Sequence, residues 1–134
     1  MFSIRYVTDF DAAHRLYEYE GKCARTHGHT WKVEVVAKTD RLDDTGMVCD
    51  FFELRELVDA VIAPFDHVDL CEVPPFDRLS PTSEALARHI FEELSAQVSS
   101  IDDGRVSLAE VKVWESSTTW ASYSSKPSIP AADE

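Results

Sequence analysis

From Phe2 to Ala12 the apolar residues Phe2, Ile4, Tyr6, Phe10 and Ala12 share one parity with polar residues among the others, and the run closes on His14. A period of two belongs to a strand with one buried face, which fixes how the opening of the chain can fold. Trp31-Lys32-Val33-Glu34-Val35 alternates in the same way and continues from His27-Gly28-His29. A polar loop with Gly21 joins the two runs, so they are expected to pair antiparallel. Side chains two apart on a strand point to the same side, so His27 and His29 can grip one ion together, and His14 on the partner strand adds a third nitrogen. Three neutral imidazoles leave the fourth position of a tetrahedral zinc open, the arrangement of a catalytic rather than a structural site.

After the turn signal Asp43-Asp44-Thr45-Gly46 the period changes. Asp50, with Glu53 three residues on, reads as an aspartate version of a capping box. Phe51, Leu54, Leu57, Val58, Val61 and Ile62 then follow the three-and-four spacing of a buried helix face, which Pro64 ends. Phe65 to Ser80, with Pro74 and Pro75, keeps no period and is expected to be a loop. Pro81-Thr82-Ser83-Glu84 opens a second helix with a hydroxyl cap and an early acid, and Leu86, Ile90, Phe91, Leu94 and Val98 form its apolar face. Asp102-Asp103-Gly104 closes that unit. Val106 to Glu115 alternates again, and Thr119 to Tyr123 reads as a returning strand. The order ββααββ predicts an α+β domain, a four-stranded antiparallel sheet with both helices on one face. The other face must then find cover or stay polar, which points to an oligomer.

At 134 residues and 44% hydrophobic the chain fits one domain, placed at residues 1–123, with the polar stretch 124–134 expected to be a disordered tail. It has no apolar run of about 18 residues, and Met1 to Phe10 has no signal-peptide core, so a soluble cytoplasmic protein is expected. Cys23, Cys49 and Cys71 are odd in number with no CxxC pair, which speaks against a disulfide framework or a cysteine-rich zinc knuckle and fits free thiols in a reducing compartment. The net charge of -12 speaks against non-specific binding to nucleic acid or anionic membrane. A small polyanion would need local positive charge, and Arg15, Lys22, Arg25, Lys32 and a zinc ion all fall near the histidines in sequence.

Four further residues have chemistry to offer. Cys23 lies between Lys22 and Arg25, where cations and a metal would favour its thiolate, a base or nucleophile; Cys49 and Cys71 read as small hydrophobes. Asp66-His67 places a carboxylate beside an imidazole, a competent proton shuttle if the two meet and a solvated loop if they do not. His89 falls on the second helix, on its exposed side, with no role assigned. Glu115 ends an apolar strand, where an acid is costly unless paired. A guanidine-like ligand edge would pair it; otherwise it caps the strand in solvent.

Taken together, Phe10-Asp11-Ala12-Ala13-His14, Cys23-xxx-His27-Gly28-His29, Gly46-Met47-Val48-Cys49-Asp50-Phe51, Phe65-Asp66-His67, Pro81-Thr82-Ser83-Glu84 and Trp114-Glu115-Ser116-Ser117-Thr118-Thr119-Trp120 occur in the order found in the 6-pyruvoyltetrahydropterin synthase and 6-carboxytetrahydropterin synthase family. The chain resembles that family from Phe10 to Tyr123. The resemblance implies a tunnelling fold, with ββααββ subunits joined through their sheets into a barrel, commonly a trimer stacked into a hexamer, and active sites between subunits. It implies that His14, His27 and His29 bind zinc, that Cys23 is the catalytic base and that Asp66 and His67 assist proton transfer. By the same resemblance Glu115 anchors the amino-pyrimidine edge of a pterin, and Thr82 and Ser83 lie against it. The implied substrate is 7,8-dihydroneopterin triphosphate. The short chain, the three-residue gap between Cys23 and His27 and the Trp-Glu-Ser-Ser-Thr-Thr-Trp ending look like the 6-carboxytetrahydropterin synthases, which release triphosphate and acetaldehyde on the way to queuosine. The alternatives are a 6-pyruvoyltetrahydropterin synthase and a pterin-binding zinc protein without turnover. Phe65 stands where the family usually has leucine, and Cys71 where asparagine is common.

Overall fold

The computed structural model describes residues 1–125. Strand β1 (Phe2–His14) pairs antiparallel with β2 (His27–Thr39) along its whole length, from Phe2 opposite Thr39 to His14 opposite His27. Alternation decides which face is buried: Phe10, Ala12, His14, Trp31, Val33 and Val35 are buried, while the intervening Asp9, Asp11, Thr30 and Lys32 are exposed. β2 runs past the alternating segment to Thr39 because Val35, Val36 and Ala37 are all buried, with the register shifting against the next strand between Val36 and Ala37.

Helix α1 (Phe51–Ile62) begins where Asp50 accepts a hydrogen bond from the backbone N–H of Phe52 at 2.8 Å, and helix α2 (Ser83–Ser99) where Thr82 Oγ1 accepts from the N–H of Ala85 at 3.0 Å. Leu54, Val58 and Ile62 of α1 and Leu86, Ile90, Phe91, Leu94 and Val98 of α2 join the strand residues in one apolar core. A fully buried side chain of this kind contributes about 1.5–3 kcal/mol, so these stripes commit both helices to the same side of the sheet. The domain is α+β, as the sequence predicts.

The sheet has five strands rather than the expected four. Its order is β3-β1-β2-β4-β5, with β4 (Ser107–Trp114) antiparallel to β2 and β5 (Trp120–Ser124) antiparallel to β4. The addition is β3 (Val68–Asp69), which lies parallel to β1 at Ala12 and Ala13, inside the segment expected to be a plain loop. Two residues are too few to carry a period, so only tertiary pairing reveals this strand. His67, just before it, has a left-handed backbone (φ 58°) and donates its backbone N–H to the Asp11 carbonyl at 2.6 Å.

Another expectation is corrected at His89. It is half-buried, its ring 5.5 Å from Phe65 and 5.6 Å from Phe76, because the 65–80 segment folds over that flank of α2. Ser124 belongs to β5 rather than to a tail, and residues 126–134 of the expected tail lie outside the described residues. The sheet face away from the helices carries polar and charged groups, among them Arg5 paired with Glu34 at 3.6 Å and Lys112 with the same Glu34 at 3.7 Å. Among the described residues no helix is long and apolar enough to cross a membrane.

Candidate metal centre and the acid pair behind it

His14 and His27 are register partners at one end of the β1–β2 ladder, and His29 lies opposite Ala12, so strand alternation puts all three imidazoles on the helix-facing side. Their ring centroids are 4.5 Å (His14–His27), 4.8 Å (His27–His29) and 5.1 Å (His14–His29) apart. Trp31 is the floor. Its buried indole stands edge-on, 4.8 Å from His14 and 5.3 Å from His29, and donates Nε1–H to the Ala12 carbonyl at 3.3 Å.

Hydrogen bonds fix which nitrogens face inward. His14 Nδ1 donates to the Pro81 carbonyl at 2.8 Å and His27 Nδ1 to the Arg25 carbonyl at 2.7 Å. A ring nitrogen facing a carbonyl must carry the hydrogen, so in the neutral rings both Nε2 atoms hold lone pairs. Those two Nε2 atoms stand 3.0 Å apart, lone pair against lone pair, an arrangement that repels unless a cation lies between them. His29 Nε2 is buried and makes no well-aligned hydrogen bond among the described residues. Burial holds the His29 imidazole below its ordinary pKa, with His14 and His27 acting in the same direction and Glu115 against them, so the ring is neutral and ready to ligate. Such a donor set fits a divalent metal of the zinc type.

Glu115 completes the group. It follows β4, and its backbone N–H donates to the Thr119 carbonyl at 3.2 Å across a turn tightened by Ser116 Oγ and Thr119 Oγ1 at 2.7 Å. Its Oε1 lies 3.0 Å from His29 Nε2 and 3.3 Å from His14 Nε2. Neither solvent capping nor an unpaired buried acid describes this position, and the sequence gives no sign that the carboxylate reaches the imidazoles. The carbonyls of Pro81 and Arg25 are equally invisible in sequence, because every residue has one.

Asp66 and His67 do meet, His67 Nδ1 lying 2.9 Å from Asp66 Oδ1, which also accepts the backbone N–H of Asp11 at 3.0 Å. That backbone bond, with His67 beside it, holds the Asp66 carboxyl below the usual carboxylate range, so it stays ionised and can steady an imidazolium. Asp11 is drawn in as well, its Oδ1 accepting from Thr30 Oγ1 at 2.5 Å. Asp11 and Thr30 are opposed across β1 and β2 with the parity opposite to that of the histidines, so this acid pair sits behind the sheet from the metal centre. An open recess of about 540 Å³ borders it, lined in part by Asp11, Ala13, Thr30 and His67 and reaching His29 at the sheet edge.

Cys23 lies half-buried in a short 3₁₀ turn, Lys22–Ala24, in the loop between His14 and His27, where its carbonyl accepts from the N–H of Leu16 at 2.9 Å. Among the described residues it belongs neither to the imidazole group nor to the Asp11–Asp66–His67 group. Cys49 behaves as the small hydrophobe expected, buried with its thiol pushed up to about 11 by desolvation. Cys71 is half-buried, its Sγ 3.5 Å from the Arg15 carbonyl. Thr82 spends its hydroxyl capping α2, and Ser83 is buried beside it. Lys32 lies over the Trp114 ring at 4.6 Å and Arg15 over the Tyr17 ring at 4.9 Å.

The family model described as 6-pyruvoyl tetrahydropterin synthase matches residues 3–126. The 6-carboxy-5,6,7,8-tetrahydropterin synthase of Synechocystis is 39% identical over 119 residues, covering 85% of this chain and 86% of that one. The dihydroneopterin monophosphate aldolase of Pyrococcus furiosus is 33% identical over 114 residues, covering 84% and 88%. Among solved structures, the 6-pyruvoyl tetrahydropterin synthase of Caenorhabditis elegans superposes with a TM-score of 0.81 at 28% identity, over 93% of this chain and 96% of that one.

Proposed function

Since the chain belongs to the 6-pyruvoyl tetrahydropterin synthase family and has its tunnelling fold, we propose that it is a zinc-dependent 6-carboxy-5,6,7,8-tetrahydropterin synthase, a lyase of queuosine biosynthesis acting in the cytoplasm. Its substrate is 7,8-dihydroneopterin triphosphate, and triphosphate and acetaldehyde leave. The observation that carries the metal-dependent part is the convergence of three Nε2 atoms, two of them forced lone pair to lone pair by their own Nδ1 hydrogen bonds. The choice of product rests on likeness to relatives named 6-carboxy-5,6,7,8-tetrahydropterin synthase, the Synechocystis protein among them.

In this reading His14, His27 and His29 hold zinc, whose Lewis acidity makes the C–H and O–H protons of the pterin side chain easier to remove. Cys23 takes a proton from that side chain. His67, steadied by the ionised Asp66, gives one back. Glu115 accepts hydrogen bonds from the amino-pyrimidine edge and so sets the depth of the ring. Thr82 and Ser83 lie against the pterin, Thr82 with its hydroxyl already shared with the helix cap.

The placement of Asp66–His67 behind the sheet from the imidazoles supports a further part of the proposal: the working site is shared between subunits of a homo-oligomer, a trimer or hexamer, with the acid pair serving a neighbour's metal centre. Mixing Cys23→Ala with His67→Ala protein under conditions that exchange subunits should restore turnover, because random assortment leaves about a quarter of shared sites with both groups intact. An inactive mixture, once exchange is verified, would put both groups to work within one chain.

A second reading comes from the likeness to the Caenorhabditis 6-pyruvoyl tetrahydropterin synthase: elimination of triphosphate, with the side chain retained as a diketone. Anaerobic incubation of the zinc-loaded protein with 7,8-dihydroneopterin triphosphate, followed by mass spectrometry, decides between them. Carboxytetrahydropterin with matching acetaldehyde supports the carboxy reading, and a pyruvoyl product without acetaldehyde replaces it. Bound pterin without turnover would leave a zinc protein that binds pterins only. Dihydroneopterin monophosphate offered in parallel tests the activity named for the Pyrococcus relative.

A further inference from the structure

The peptide group between Arg15 and Leu16 is held at both ends. Its carbonyl lies 3.5 Å from Cys71 Sγ, a thiol placed to donate to it, and its N–H donates to the Cys23 carbonyl at 2.9 Å. Tyr17, next along, is fastened twice more: its backbone N–H donates to Ser80 Oγ at 2.8 Å and its hydroxyl to the Phe76 carbonyl at 2.6 Å. The Arg15 guanidinium closes over the Tyr17 ring. Contact with Cys71 pushes the Tyr17 phenol up to about 12, so the hydroxyl keeps its proton and remains a donor well above neutral pH.

Cys71 is itself firmly placed. It lies in a 3₁₀ turn, Leu70–Glu72, where its backbone N–H donates to Asp69 Oδ1 at 2.9 Å. Asp69 ends β3, which pairs with β1, and Asp66 and His67 come immediately before that strand. The stretch that carries the acid pair therefore reaches the loop of Cys23 through a single peptide group. The small-hydrophobe role that suits buried Cys49 does not describe Cys71, which is half-buried with its sulfur on a carbonyl.

The Lys22–Ala24 turn has little else to hold it in place. The Ala24 and Arg25 amides bond within the turn, to Gly21 and Lys22, and among the described residues the Leu16 amide makes the one backbone bond that ties it to another segment. A carbonyl that accepts a hydrogen bond polarises its peptide group and strengthens the N–H at the other end. A donor on the Arg15 carbonyl thus tightens the grip of Leu16 on Cys23.

We propose that Cys71 is a positioning residue for Cys23: its thiol, acting through the Arg15–Leu16 peptide group, fixes the turn from which Cys23 works on the substrate. The inference rests on the reading of Cys23 as the base and adds to it a residue outside the reacting groups. Tyr17 pins the far end of the same stretch.

The test uses the full chain. Cys71→Ala should lower kcat for 7,8-dihydroneopterin triphosphate by about 2–10-fold, the rate equivalent of one net hydrogen bond, with KM unchanged. Cys71→Ser keeps a donor and should stay within about 2-fold of wild type. Alkylation of Cys23 by iodoacetamide, scored apart from Cys49 and Cys71 by peptide mass spectrometry, should show a shifted pH profile in Cys71→Ala and the wild-type profile in Cys71→Ser. Far-ultraviolet circular dichroism checks folding. Should Cys71→Ala fail to fold, Tyr17→Phe, which frees the other end of the stretch, decides by the same kcat and alkylation readings. Wild-type kcat with an unshifted profile overturns the proposal. So does an equal loss in Cys71→Ala and Cys71→Ser, which would make the side chain a filler rather than a donor. Cys23→Ala, assayed alongside, separates the positioning role from the reading beneath it. If that variant is inactive and Cys71→Ala is unaffected, the positioning role alone fails; if it is active, the base assignment fails and the positioning role goes with it.

Discussion

On the proposal that Cys23 is the general base, Cys23→Ala protein is expected to lose about 10²–10⁴-fold in kcat while keeping any bound zinc and its fold, because removal of such a base costs that much and the thiol is no part of the imidazole group. Retention of metal is the informative half of the result. The loop that carries Cys23 joins two of the proposed ligands, so a variant that lost both zinc and turnover would show that the turn at Lys22–Ala24 positions His27 rather than performing chemistry. Zinc content by elemental analysis and kcat with the dihydroneopterin triphosphate, measured on the same preparation, separate these outcomes. An active Cys23→Ala enzyme would remove the thiol from the mechanism.

His27→Ala should be more damaging, with zinc lost on dialysis and turnover falling to background. Loss of an outer partner of a metal ligand typically costs about 10–100-fold in affinity, and removing the ligand itself should exceed that. The Arg25 carbonyl that fixes the His27 ring would then face an alanine, and the His14 Nε2 lone pair would lose its counterpart at 3.0 Å. Full zinc occupancy in this variant would sink the three-histidine site. Stability should change far less than activity, since His27 belongs to the last pair of the ladder and is not part of the apolar core.

Much of this architecture is legible in the sequence, for identifiable reasons. Phe10, Ala12 and His14 share a parity, so whatever buries Phe10 also turns His14 inward, and the same holds for His29 with Trp31 and Val33. Asp50 and Thr82 announce the helix starts because only a few side chains can accept from the first free N–H groups of a helix. What stays hidden depends on contacts between segments far apart in the chain. β3 is too short for a period. His89 looks exposed until Phe65 and Phe76 cover it. Glu115 has the residue type of a ligand, but its approach to His14 and His29 depends on the antiparallel register of β2 and β4, where Trp114 pairs with Lys32. The side of the sheet taken by Asp66 and His67 follows from the backbone bond between His67 and Asp11, which no side-chain pattern encodes.

The bond from His14 to the Pro81 carbonyl has a mechanical meaning. Pro81 immediately precedes Thr82, whose hydroxyl holds the Ala85 amide, so one imidazole is clamped between the metal centre and the first turn of α2. On the proposal that His14 ligates a metal, an ion that holds its ring also steadies that turn. The Ala85 amide, at the end of the linkage, becomes a built-in reporter: its hydrogen–deuterium exchange slows when the ion is held and quickens when it is stripped, with no label attached and no substrate present.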